Sequence, residues 1–128
     1  MSDEPATHIT QIGRVLVPVA DQDRALGFYV GTLGFEKRFD MPFGEGGRWI
    51  EVAPAGVETV ISLIPPQESL APGAATGILL TSGNVEDDHA ALKARGVDVD
   101  PEITRGGEQT PPLFFFRDPD GNTLCVVG

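Results

Sequence analysis

The chain is poor in the residues that most often carry chemistry. Cysteine occurs once, at Cys125, and histidine twice, at His8 and His89. A lone cysteine excludes an intrachain disulfide, so a reducing cytoplasm is the expected compartment. Two histidines, one of them in a polar N-terminal stretch, supply little towards a His-rich metal site. Basic residues are also scarce, with 9 Lys and Arg against 19 Asp and Glu and a formal net charge of −10. That balance opposes phosphate backbones and anionic lipid surfaces, so neither nucleic acid nor a membrane is an expected partner. No apolar run is long enough to span a bilayer. Residues 1–10 are polar and acidic and lack the basic-then-apolar order of a secretory signal, so secretion is not expected.

What the chain does contain is one pattern written twice, over residues 13–64 and 77–127. Residues 12–19 read as a strand, with Val15, Val17 and Val19 on one face at period two. Asp21 caps a helix in which Leu26, Tyr29 and Leu33 recur at helical spacing, and Gly34 ends it. A short strand over 36–39 follows, then a loop over 41–47 rich in glycine, then strands over 48–53 and 59–64 joined across Pro54-Ala55-Gly56. Residues 65–76, with three prolines, read as a linker. The order then restarts with a strand over 77–82, a helix capped by Asn84 and stopped by Gly96, and a short strand over 97–99. A polar loop over 100–111 leads to a last hairpin, 113–117 and 123–127, turning on Asp118-Pro119-Asp120-Gly121-Asn122. The two loops, near 41–47 and 106–111, have the composition of flexible flaps, with Glu45 and Glu108 as solvated charges.

At 128 residues this is the length of one domain. The reading is α+β: two tandem βαβββ modules, 12–65 and 77–127, with pseudo-twofold symmetry, forming curved mixed sheets around a cleft. Helices cover one face of each sheet, and the residues on the other face decide function.

The residues Val17-Pro18-Val19-Ala20-Asp21, Arg24 to Tyr29, Leu33-Gly34-Phe35, Ala91 to Val97 and Phe116 to Asn122 together resemble the vicinal oxygen chelate superfamily. This is the superfamily of glyoxalase I, bleomycin and fosfomycin resistance proteins and extradiol dioxygenases. The likeness runs from about Ile12 to Val127 and implies the fold, not an activity. Metal-dependent members that resemble this chain place His or Glu on the first and last strand of each module. Carried over residue by residue, those positions fall at Arg14 and Ser62 in the first module and at Gly77 and Cys125 in the second, Gly77 lying 63 residues after Arg14 and Cys125 63 after Ser62. Arginine has no lone pair to offer, glycine has no side chain, a serine hydroxyl binds divalent metals poorly, and one thiolate does not make a site. His89 sits beside Asp87 and Asp88 and is expected on a solvated helix face. No metal and no other cofactor is expected. The resemblance therefore implies a metal-independent binder of small organic molecules, analogous to a drug-sequestering resistance protein, and a homodimer. Its alternative is a glyoxalase-type lyase, isomerase or dioxygenase holding metal through unusual residues.

If Arg14 faces the cleft, period two brings Leu16 to the same face, and likewise Ser62, Leu79 and Cys125. In residues 48–52, Ile50 and Val52 suit the helix side, leaving Trp49 and Glu51 to the cleft. Phe115 joins them, with Phe114 and Phe116 opposite. The expected cleft is thus Arg14, Leu16, Trp49, Glu51, Ser62, Leu79, Phe115 and Cys125: apolar walls, one indole, one cation and one carboxylate. Arg14 and Glu51 carry two readings at this stage, a buried structural ion pair or a free guanidinium that grips an anionic ligand. Cys125 reads as a small apolar residue, since no base is near it.

Overall fold

The computed structural model describes residues 7–128, so the first six residues of the acidic N-terminal stretch lie outside it. In chain order the elements are β1 (Arg14–Pro18), α1 (Gln22–Leu26) continued by a wider π-helical stretch (Gly27–Thr32), β2 (Glu36–Phe43), β3 (Gly47–Ala53) and β4 (Val60–Ile64), then β5 (Ala75–Thr81), α2 (Val85–Ala94), β6 (Asp98–Val99), β7 (Leu113–Arg117) and β8 (Thr123–Val127). They form two four-stranded sheets of equivalent order, β1-β4-β3-β2 and β5-β8-β7-β6. In each sheet the first strand runs parallel to the last, and the other pairings are antiparallel. This is the expected α+β fold of two βαβββ modules with open, mixed sheets. No helix among the described residues is long and apolar enough to cross a membrane.

The helix starts follow the sequence. Asp21 accepts a hydrogen bond from the Arg24 N–H at 3.0 Å, and Asn84 accepts one from the Asp87 N–H at 3.0 Å, satisfying amides that the first helical turn leaves unpaired. The π-helical stretch was not expected. Its wider turns show in the Leu33 N–H bonding back to the Phe28 carbonyl at 2.9 Å.

The largest departure lies at residues 41–47. The expected loop is instead strand and turn: β2 runs on to Phe43, β3 begins at Gly47, and only Gly44-Glu45-Gly46 turns. Gly44 and Gly46 have φ of 68° and 77°, a conformation that glycine adopts without strain. Pro42 fits because β2 is the edge of its sheet, where a missing N–H leaves no ladder bond unmade. Proline and glycine counted as loop signals, yet one occupies an edge strand and the others confine themselves to a tight turn.

The modules share one core. Val17, Val19, Tyr29, Ile50 and Val52 of the first pack in one cluster with Val85, Leu92, Phe114, Phe116, Leu124 and Val126 of the second. All the strand residues among these lie on the helix-facing sides of the two sheets, as period two predicts. Phe28 meets Phe116 across the junction, ring centroids 6.3 Å apart. The turn between β7 and β8 then closes over the first module. The buried Tyr29 hydroxyl donates to Asp118 Oδ2 at 2.9 Å, and Asn122 Nδ2 donates to that oxygen at 3.0 Å and to the Pro18 carbonyl at 2.8 Å. The Ala20 N–H and Arg24 Nη2 both donate to Asp120 Oδ1 at 2.9 Å. Burial, then the Asp118 carboxylate, push the Tyr29 phenol well above its ordinary pKa, so it stays a donor.

Tyr29→Phe keeps the ring and deletes the only hydroxyl in this junction. Equilibrium urea unfolding is expected to show a loss of about 1–3 kcal/mol, the cost of leaving a buried charged acceptor one partner short.

Candidate functional site

On the first sheet, β-pairing sets Leu16, Ser62, Glu51 and Phe39 side by side across all four strands. Cross-strand neighbours point to the same side, so these four face away from the core. Arg14 precedes Leu16 by two residues, Trp49 precedes Glu51 by two, and Met41 pairs with Trp49. The result is a hollow of about 610 Å³ walled by Arg14, Phe39, Met41, Pro42, Phe43, Trp49 and Glu51.

Its polar centre is Glu51, which is 8% exposed. One oxygen, Oε2, accepts from Arg14 Nε, from Trp49 Nε1 at 3.0 Å and from the fully buried Ser62 Oγ at 3.4 Å. Burial alone would raise the Glu51 pKa, but the hydrogen bonds from Trp49 and Arg14, with the Arg14 charge, outweigh it and hold the carboxyl below its usual range. Arg14 and Glu51 are therefore in ion-pair contact. The pair is open: the Arg14 side chain is 60% exposed and spends only Nε on Glu51.

Around this centre the walls are apolar. Phe39, Met41 and Phe43 lie on one side of β2 at period two and are all exposed, and Phe43 meets Trp49 edge-to-face at 5.4 Å between centroids. Met41 and Phe43 were absent from the sequence-derived cleft because 41–47 read as a loop, and Phe39 because the strand over 36–39 was assigned no facing. The signal was present in Phe39-Asp40-Met41-Pro42-Phe43, a strict apolar alternation that Pro42 masked. Asp40 points the other way, where Arg48 holds it at 2.8 and 3.0 Å and lowers its pKa to about 2. Arg48 also reaches Asp23 of α1 and so braces the β2–β3 hairpin.

The structure thus brings together Arg14, Trp49, Glu51 and Ser62, with Leu16 alongside. Leu79, Cys125 and Phe115 form the corresponding row on the second sheet, again in register across three strands. That row does not line the hollow. Leu79 and Phe115 are exposed, whereas Cys125 is 2% exposed and its thiol pKa is raised by burial and then by Asp100. His89 is placed differently from expectation. It is half-buried, its ring stands edge-on to Phe114 at 4.9 Å, and Nε2 lies 2.7 Å from the Asp100 carbonyl. The helix turns this residue inward because the acidic side chains Glu86, Asp87 and Asp88 take the solvent side.

The positions that the family pattern reserves for metal do not fit one. Ser62 is committed to Glu51, Gly77 lies where β5 departs from its register with β8, and Arg14 and Cys125 are a cation and a buried thiol. Among the described residues, no three His, Cys, Asp or Glu side chains gather around a common point. A larger hollow, about 840 Å³, opens between the modules, walled from Val15, Val52 and Ile61 across to Leu79, Leu80 and Leu92. Much of its wall is core, including Leu92, Phe116 and Val126, and its charged residues are already engaged, Arg95 by the Thr32 carbonyl and Asp88 by Ser82. It lacks the convergent polar centre of the concave face.

Two open four-stranded mixed sheets built from a repeated βαβββ unit define the fold class of the molecule. The chain belongs to the Glyoxalase/Bleomycin resistance protein/Dioxygenase superfamily, whose family model matches residues 11–126. It is similar to YetH, an uncharacterized protein of Bacillus subtilis (strain 168), at 31% identity over 92% of this chain and 98% of that one. Among solved structures it is similar to TnmS3, an antibiotic binding protein from Streptomyces sp. CB03234, with a TM-score of 0.83, 37% identity and coverage of 94% and 97% of the two chains. A superfamily member from Sphaerobacter thermophilus DSM 20745 superposes with a TM-score of 0.86 at 33% identity, covering 94% and 98%.

Two outcomes follow from this geometry. Because the folded Glu51 pKa lies below its ordinary value, its charged hydrogen bonds stabilise the protein above the ordinary carboxylate pKa and are lost as pH falls through the folded pKa. Urea unfolding of wild type and Glu51→Gln is expected to show a wild-type advantage at neutral pH that shrinks steadily in acid. For Cys125, Ellman's reagent is expected to label the native protein slowly and to titrate one thiol per chain in denaturant; a rapid native burst would contradict its burial.

Proposed function

We propose that this protein is a metal-independent binder of small organic molecules, working as a homodimer in the cytoplasm and sequestering a drug or metabolite without turning it over. The observation that carries the reading is the state of Glu51. The one carboxylate among the residues walling the hollow is consumed by Arg14, Trp49 and Ser62, so the apolar hollow has a polar centre but neither a metal ligand set nor a free base. The likeness to an antibiotic binding protein at 37% identity supports a drug-like ligand. The Cys125 thiol is buried and its pKa is raised, away from the thiolate that covalent chemistry needs.

The dimer is supported by what the fold leaves uncovered. Because the helix-facing sides of both sheets share one core, the faces bearing Leu16, Phe39, Met41 and Phe43 and bearing Leu79 and Phe115 point outward. Exposed apolar patches of this kind mark binding surfaces. A second copy that lays its Leu79–Cys125–Phe115 row over the first sheet would assemble the eight-residue cleft from two chains and cover both faces.

The test is elemental analysis of protein purified without chelator, a thermal-shift titration with zinc, nickel, manganese and iron(II), and sedimentation at micromolar concentration. No stoichiometric metal, no metal-induced stabilisation and a mass twice the 13.6 kDa chain are expected. One tightly held metal per chain would overturn metal independence and put an enzyme in its place. A strict monomer would remove the shared cleft.

A further inference from the structure

We propose that the ligand of the concave face is a planar aromatic molecule carrying a carboxylate, gripped by Arg14. This inference rests on the reading of that face as a ligand site. The net charge of −10 points the other way, towards a cationic ligand, but a bound molecule responds first to the charges that touch it. Of the residues walling the hollow, only Arg14 and Glu51 are charged. Glu51 is buried with three donors on one oxygen, so a cation could reach it only by displacing them. Arg14 is the reverse. Its Nε edge is tied to Glu51, while its two terminal nitrogens have no partner among the described residues and the side chain is largely exposed. Glu51 thus fixes the plane of the guanidinium and leaves its outer edge, with two parallel N–H groups, for a two-oxygen acceptor. Asp40, between Phe39 and Met41, does not compete: it lies on the opposite side of β2, engaged by Arg48 and Lys37.

The aromatic half of the proposal comes from the walls. Phe39, Met41, Phe43 and Trp49 present ring faces and a thioether, surfaces that favour offset stacking and sulfur–aromatic contact over aliphatic filling. The hollow, about 610 Å³, accepts a molecule of two or three fused rings.

Trp49 is the only tryptophan, so the ¹⁵N-labelled protein has a single indole N–H signal, and that N–H sits on Glu51 at the centre of the site. The probes are 2-naphthoate, neutral 2-naphthamide, the cation 2-naphthylmethylammonium and the non-aromatic anion cyclohexanecarboxylate, each titrated by calorimetry and by the indole signal. We expect 2-naphthoate to shift the indole saturably and to bind roughly tenfold or more tighter than either the cation or cyclohexanecarboxylate. In Arg14→Gln the naphthoate affinity should fall roughly tenfold or more, towards that of the wild type for the amide. Tighter binding of the cation, with a saturating indole shift, would overturn the anionic ligand and leave the binding site standing. Equal binding of the two anions would overturn the aromatic requirement alone. No saturable indole shift with any of the four would overturn the site itself. The wild-type series decides these outcomes without any variant.

Discussion

The carboxylate of Asp118 is buried, and a buried charge is tolerable only when its oxygens are fully engaged. It takes four hydrogen bonds: from the Tyr29 hydroxyl, from the Asp120 and Asn122 N–H groups and from the Asn122 amide. Three of these are local and shape the turn between β7 and β8. The fourth crosses 89 residues of sequence to the first module. Because neither Tyr29 nor Asp118 has water to fall back on, the two modules are held in one mutual arrangement, with Asn122 on the Pro18 carbonyl and Asp120 on Ala20 and Arg24 completing the lock. The join falls where β1 hands over to α1, so the strand that carries Arg14 and Leu16 is anchored at its C-terminal end by the other half of the chain.

That anchoring decides which surfaces are free. With helix-facing sides pressed into a common core, the opposite sides of both sheets are left to solvent, and their chemistry differs. The first is centred on Glu51 and Ser62, carries Arg14 and rises at one edge into the Phe39–Met41–Phe43 stripe. The hairpin bearing that stripe would be floppy as an isolated ribbon. Arg48, bonded to both Asp40 and Asp23, fastens it to α1, and Gln22 adds bonds to Arg48 and to the Leu63 carbonyl at 2.9 Å. A wall held this way keeps its apolar side chains in place in the absence of ligand, which lowers the ordering cost of binding.

Much of this was legible in the sequence because it depends on local rules. Period two sorted Val17, Ile50, Val52, Phe114 and Phe116 to the core and Leu16, Glu51 and Phe115 to the other side, since a pleated strand has no other way to place them. The caps at Asp21 and Asn84 and the β7 and β8 boundaries followed equally short-range chemistry. What was hidden depends on sheet context or long range. Pro42 reads as a breaker until β2 is known to be an edge strand. Tyr29 and Asp118 read as a core aromatic and a turn residue, and nothing in either neighbourhood announces that they meet. His89 looked solvated from Asp87 and Asp88 beside it, although on a helix adjacent residues point in different directions and the burial of Phe114 decides its side.

The repeat is faithful in order but not in proportion, and the difference bears on how the proposed dimer would work. β2 spans eight residues and β6 only two. The second sheet consequently has no counterpart of the Phe39–Met41–Phe43 wall, and its outward row of Leu79, Cys125 and Phe115 carries no charge and no free hydrogen-bonding side chain. Two identical halves would make two equal half-sites. In the proposed dimer one half would provide orientation, through Arg14 on its Glu51 support and the aromatic wall. The other would provide a cover of Leu79, Cys125 and Phe115 beside an Arg117 already engaged by Asp98 and Asp100. A cover of that kind discriminates little among ligands, so on this arrangement specificity resides in the first module, and changes in what the protein binds would be written in Arg14, Trp49 and the β2 stripe.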